Sequence, residues 1–222
     1  MSRKHGLAAI VATLIGSLAL AVVVNAAPPA DAHAEHGARA NRAEFHDAMR
    51  KLWEDHIVWT RQFIVSAATE TGTLADIGPT TDRLLANQTD IGNALKPFYG
   101  DAVGDQVTAL LRDHILTAAA LVAAAKAGDA AGVETASAAW YQNADDIATA
   151  LNGLNAKHWP LAEMKAHMKD HLDLTLKEAV ARIQARYADD IAAYDKIHVQ
   201  ILGMADMLSD GIIAQFPDQF AR

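Results

Sequence analysis

The 222-residue chain contains no cysteine. That excludes a disulfide scaffold, thiolate-bound zinc, an iron–sulfur cluster, covalently attached haem and a thiol nucleophile. Proline occurs 6 times and glycine 13 times, too few for a collagen-like or low-complexity chain. Basic residues are outnumbered, 19 against 27 acidic, for a net charge of −8. With no basic stripe, a nucleic-acid partner is not expected. Also missing are a G-x-S-x-G elbow, a phosphate loop and a dinucleotide fingerprint. Ser66, Ser137 and Ser209 stand in no elbow context, and no Glu-x-x-His pair supports a ferritin-type di-iron centre. Nothing in the chain points to a reaction, so an enzyme is not favoured.

What is there is alanine, at 48 positions, with few β-branched runs. That mix favours helix over sheet. Half the residues are hydrophobic, at 51%, which supports one sizeable core or two small ones.

The first segment reads as an address. Arg3 and Lys4 precede an uncharged run from Leu7 to Val24, followed by Asn25-Ala26-Ala27 and Pro28-Pro29. This is a secretory signal pattern, giving a signal peptide over 1–26 and an exported protein. Ala30-Asp31-Ala32 is a second possible cleavage site. The 7–24 run also has the length of a bilayer span, so an uncleaved anchor is the competing reading and the one expected route to a membrane. Residues 27–42 read as a flexible leader carrying His33 and His36. Cleavage after Ala32 leaves His33 at the N-terminus, where amine and imidazole together suit copper.

From there on the apolar spacing is three to four residues throughout. It predicts an all-α bundle over 43–213 and a tail over 214–222. Six helices are expected, over 43–71, 80–96, 102–127, 130–152, 160–187 and 189–210. The second starts on Thr80 or Thr81 and stops before Pro97. The third is capped by Asp101 and ends at Gly128. The fourth is capped by Asp129 and ends at Gly153. The sixth ends before Gly211. Trp53, Trp59, Trp140 and Trp159 belong to helix contacts. Arg61, Asp189 and Asp190 read as solvated.

The first, third and fifth helices share a core of Asp-His-(Ile/Leu) with a threonine beyond it. The three copies are Asp55-His56-Ile57 with Thr60, Asp113-His114-Ile115 with Thr117, and Asp170-His171-Leu172 with Thr175. The histidines are spaced 58 and 57 residues apart. Each following helix offers an amide, Asn87, Asn143 or Gln200. The pattern reads as three tandem helical hairpins of about 57 residues that close into one bundle.

His56 and His114 lie on apolar stripes and should point inward, where each ring needs partners. Thr60, Thr175, Asn87 and Asn143 are the expected partners. Asp55, Asp113 and Asp170 do not face the histidine of their own helix but could reach that of a neighbour. One reading is a polar layer that fixes helix register, in a cell-envelope structural or interaction protein. A sharper one is a metal or small-ligand site of His56, His114, His167 and His171. His167 and His171 share a helix face with Met164 and Met168, and His198 could contribute from the sixth helix. Imidazole with thioether suits copper ahead of zinc or iron. The H-x-x-x-H spacing at His167 and His171 lacks the glutamate of a zincin. A third reading is a pH-sensitive element that charges between about pH 5 and 7.

Several runs carry a resemblance. They are Leu52-Trp53-Glu54-Asp55-His56-Ile57-Val58-Trp59-Thr60-Arg61, Asn87-Gln88-Thr89-Asp90-Ile91-Gly92, Pro97-Phe98-Tyr99-Gly100, Trp140-Tyr141-Gln142-Asn143-Ala144-Asp145 and His171-Leu172-Asp173-Leu174-Thr175. Over roughly 45–213 the chain resembles a group of uncharacterised, often exported proteins of actinobacteria and soil bacilli. Their automatic labels are inconsistent and include glycosyltransferase and acetylglutamate kinase. The resemblance implies a shared fold and adds no reaction.

Overall fold

The computed structural model describes residues 40–69 and 72–221. The expected signal segment and nearly all of the leader, His33 and His36 included, lie outside the described residues. Among those described there are six α-helices, one 3-10 turn (Pro217–Gln219) and no β-sheet. The helices are α1 (Arg42–Ala67), α2 (Ile77–Tyr99), α3 (Asp101–Ala127), α4 (Ala130–Leu154), α5 (Leu161–Ile183) and α6 (Tyr187–Gln215).

Each helix packs on the next, and α6 returns against α1 to close a ring. The odd-numbered helices α1, α3 and α5 also meet one another across the centre. The main core runs from Met49 and Trp53 through Ile91, Ile147, Met164 and Leu172 to Ile201 and Leu208. A much smaller cluster of Ile64, Val122 and Ala179 lies near the C-terminal ends of α1, α3 and α5. By length and composition α3 and α6 could each cross a membrane, a test that core helices also pass.

Local chemistry sets the ends. Asn41 caps α1, its side chain accepting from Ala43 N at 2.9 Å, and Asp129 caps α4 by accepting from Gly132 N at 3.0 Å. Gly128 ends α3 with φ at 70°, and Asp129 N bonds back to Ala124 O. Several boundaries differ from expectation. The first helix stops at Ala67 rather than 71. The second begins at Ile77, with Pro79 in its first turn, where no N–H is needed. It also runs through Pro97 to Tyr99, because a proline in the last turn forfeits a single bond. Asp101 is the first residue of α3 and makes no side-chain cap. Gly153 lies inside α4, which ends at Leu154.

The tail expected after 213 is partly core. Phe220 is fully buried, ringed by Phe45 and Phe98 at centroid distances of 5.2 and 5.7 Å. Ala40 N donates to Gln219 O, and Ala221 N donates to Ala40 O. The C-terminus therefore pins the residue that leads into α1.

Glycine 211 is a contact residue, not a stop. A Cβ there would fall 2.1 Å from Trp159 Nε1, so α6 runs on past it while Trp159 packs flush on its backbone. Gly92 and Gly104 do the same between α2 and α3, each pressed on the other's carbonyl.

The turn between α5 and α6 contains neither glycine nor proline. It is made by Ala185 at φ 55°, with Arg186 N bonding back to Ala181 O. A left-handed alanine is strained by about 1–2 kcal/mol. Ala185→Gly should therefore raise the unfolding free energy by about 0.5–1 kcal/mol. Gly211→Ala should lower it by about 1–3 kcal/mol, the range for overpacking. Urea titration followed by circular dichroism measures both.

Candidate functional site

Three histidines converge where α1, α3 and α5 meet. The His56 and His171 ring centroids are 5.6 Å apart, and those of His114 and His171 are 6.4 Å apart. All three are 3–4% exposed. They sit on the inner stripes of alternate helices that meet at the centre, which is why residues far apart in sequence share one layer.

An amide on the partner helix holds each ring. His114 Nδ1 donates to Asn143 Oδ1 at 2.9 Å, while Asn143 Nδ2 donates to Leu110 O at 3.1 Å. His171 Nδ1 donates to Gln200 Oε1 at 3.2 Å, while Gln200 Nε2 donates to His167 O at 3.0 Å. In both, the amide grips the ring and the carbonyl four residues before it. The α1–α2 pair keeps half of this: Asn87 Nδ2 donates to Leu52 O at 3.0 Å, again four residues before the histidine. There His56 Nδ1 instead accepts from Gln88 Nε2 at 3.3 Å. That nitrogen also faces Leu84 O and Asn87 Oδ1, while Gln88 Oε1 is buried without a partner. This is the least satisfied point of the layer.

The far ring nitrogens differ. His114 Nε2 accepts from Trp140 Nε1 at 3.3 Å. No partner is seen for Nε2 of His56 or His171 among the described residues. Burial, reinforced by the neighbouring rings, drives His56 well below the ordinary histidine range and His114 down to about 3. Burial alone takes His171 to about 4. All three are therefore neutral at physiological pH. The expectation that they charge between pH 5 and 7 requires the burial to be lost first.

The other expected residues fall outside this centre or serve its helices. Thr60 and Thr175 donate to the carbonyls of His56 and His171, both at 2.8 Å, and not to the rings. Asp55 pairs with Lys51 and Arg83, while Asp113 and Asp170 are exposed. None of these three aspartates reaches a histidine of the layer, because the position before each inward residue points outward. His167 is half-buried and enters the layer only through its carbonyl. Met164 and Met168 are core. His198 is on the surface, 2.8 Å from Glu54. Among the described residues no group of three metal-binding side chains is close enough to hold an ion as placed.

Two further constellations were not expected. Arg61 reaches Glu178 at 2.6 Å and Asp190 at 2.7 Å, and Arg182 reaches Asp190 at 3.5 Å. Glu178 and Asp190 are 2% and 1% exposed, so Arg61 and Asp190 are not the solvated residues they resemble. Burial pushes Glu178 up to about 7 against the pull of Arg61. Two cations face two carboxylates, and the cluster ties α1 to the α5–α6 turn. Its partners lie 117 and 129 residues from Arg61, so no local pattern announces it.

Elsewhere Ser209, His46 and Asp210 form a chain with links of 2.9 Å. Ser209 is fully buried and its hydroxyl donates within α6, to Ala205 O at 2.9 Å. No substrate can reach it, so this chain fastens α1 to α6.

The amide clamp predicts a specific sensitivity. Asn143→Ala strips Nδ1 of His114 of its acceptor and should cost about 1–3 kcal/mol. Asp113→Asn, on the solvent side, should stay within about 0.5 kcal/mol of wild type. Denaturant titration distinguishes them. The neutral rings also make stability pH-dependent. The unfolded chain takes up protons below about pH 6.5, while the folded chain resists until pH 3–4. Their contribution is complete above pH 6.5 and is lost as pH falls, by about 2 kcal/mol per ring at pH 5. Glu178 acts oppositely over the same range, so the test is a difference. Between pH 7.5 and 5, His114→Gln should lose about 2 kcal/mol less stability than wild type.

No known family profile matches the chain, and neither a curated protein nor a solved structure shows detectable similarity to it.

Proposed function

We propose that the chain is an exported helical-bundle protein that binds one soft metal ion, copper(I), between His56 and His171 at its centre. It is built of three hairpin pseudo-repeats, each supplying one histidine and the amide that orients it. The observation that carries the reading is the amide hold on Nδ1 of His114 and His171. A hydrogen-bond acceptor on one ring nitrogen leaves the other as a lone pair, which is how metal-binding histidines are oriented. His171 then carries its lone pair on Nε2. Both hydrogens of the Gln88 amide have other acceptors, Leu84 O at 2.8 Å and Asn87 Oδ1 at 3.1 Å, so the 3.3 Å contact does not tie the His56 lone pair to Nδ1.

Spacing and charge agree. Two imidazoles on opposite sides of one ion, each about 2 Å from it, have centroids about 6 Å apart, against 5.6 Å here. Among the described residues no carboxylate contacts the rings, so a divalent ion would leave two uncompensated charges in the core. A monovalent soft ion leaves one, which favours copper over zinc or iron.

A second reading has its own support. Trp140 uses up Nε2 of His114, and the clamps alone explain why histidine and amide stand where they do. On that reading the layer only fixes which helices pair, and the protein is a structural or interaction component of the cell envelope. Enzymatic activity has no support in either.

Anaerobic copper(I) titration against a chromogenic competitor decides between them. Replacing His33 and His36 by alanine removes the leader's imidazoles. One ion per chain, a raised melting temperature and loss of both in a still-helical His171→Gln variant are expected. No stoichiometric binding and an unchanged melting temperature would leave the architectural reading.

A further inference from the structure

One helical turn beyond the histidine layer, α1, α3 and α5, with Leu84 of α2 and Trp140 of α4, line a partly open pocket of about 40 Å³. Its floor includes Thr60, Ala118 and Thr175, each four residues after a layer histidine. Above them stand Ile64, Leu121, Val122 and Val180, while Ile115 lines the side toward the layer. Ala125 and Ala179 face one another's helices where larger side chains would fill the space. The main core ends at this level, and only Ile64, Val122 and Ala179 continue it.

Thr60, Thr175 and Trp140 are the polar side chains on the wall, and all three are spent. The threonine hydroxyls donate to the carbonyls of their own helices, and the indole N–H donates to His114. A cavity without free donors or acceptors stays dry. The void is also propped open. Lys126 donates to Ala67 O at 2.6 Å, fastening the end of α3 to the end of α1. Arg61 fastens α1 to Glu178 on α5 and Asp190 on α6. These ties fix the spacing of the helix ends, so the walls do not close over the gap.

We infer that this chamber is a binding site for one small, uncharged, apolar molecule, a dissolved gas or short hydrocarbon of a few heavy atoms. The size follows from the volume, since a single water needs roughly 10–15 Å³ on the same scale. The class follows from the lining, which offers no partner to a charge or hydrogen-bonding group. The pocket shares Trp140 with the layer, where its indole bonds His114 Nε2, and it needs no ion there.

Xenon is the probe. Methyl-resolved NMR of the full-length protein under xenon pressure should show saturable shifts at Ile64, Ile115, Leu121 and Val122, and n-butane should displace the xenon. Ala118→Leu fills the chamber and should abolish the response. Ala125→Leu fills it from a partly exposed wall, should the first variant fail to fold, and should weaken the response at the same methyls. Unshifted methyls in wild type, or a full response in the filled variant that folds, would overturn the assignment.

Discussion

The bidentate grip of an amide on a histidine organises this bundle. One side chain on an outer helix takes the ring nitrogen and the backbone carbonyl one turn below it, as Asn143 does with His114 and Leu110. The two contacts lie on one helix face at a fixed rise, so only one register of the hairpin satisfies both. Apolar packing of Ala, Leu and Ile tolerates sliding far better than that. Because α1, α3 and α5 are brought together through these faces, the grip also decides what meets at the centre: three neutral rings with their Nδ1 atoms held outward.

The two ends of the bundle are finished differently. Below the layer the core is dense, with Trp159 flush on Gly211 and Phe220 sealing the entry to α1. Above it the packing thins to alanine, and charge takes over from volume. Arg61, Glu178, Asp190 and Arg182 are paired where a few more methylenes would have served. Breaking one member of such a cluster is costly, while the cluster as a whole adds little net stability. Its worth is positional: it fixes the α5–α6 turn, with its strained Ala185, against α1.

Much of this was legible in the sequence. Helical class followed from alanine and the spacing of apolar residues, and the inward histidines from their place on those stripes. Asn143 was legible as a partner, and Gln200 only as the amide that keeps its interval in the repeat. The α1–α2 pair shows the limit, since Gln88 rather than its neighbour Asn87 takes the ring. Which of two adjacent amides turns inward depends on helix rotation, which spacing does not determine. Gly153, Gly211 and Pro97 were misread as terminators, because a breaker at a helix end and a small residue under an indole look alike in one dimension. The buried ion cluster was illegible for a different reason. Burial of Asp190 is a property of where α6 crosses α1, and nothing local encodes it.

The central claim concerns the protonation of three rings, and nitrogen NMR of the histidines tests it most directly. Long-range proton–nitrogen correlation should show His114 and His171 neutral, with the proton on Nδ1 and the lone pair on Nε2, and unchanged from pH 8 to 5. Protons on Nε2, or titration with a midpoint near the ordinary histidine value, would contradict the amide grip and every reading built on it.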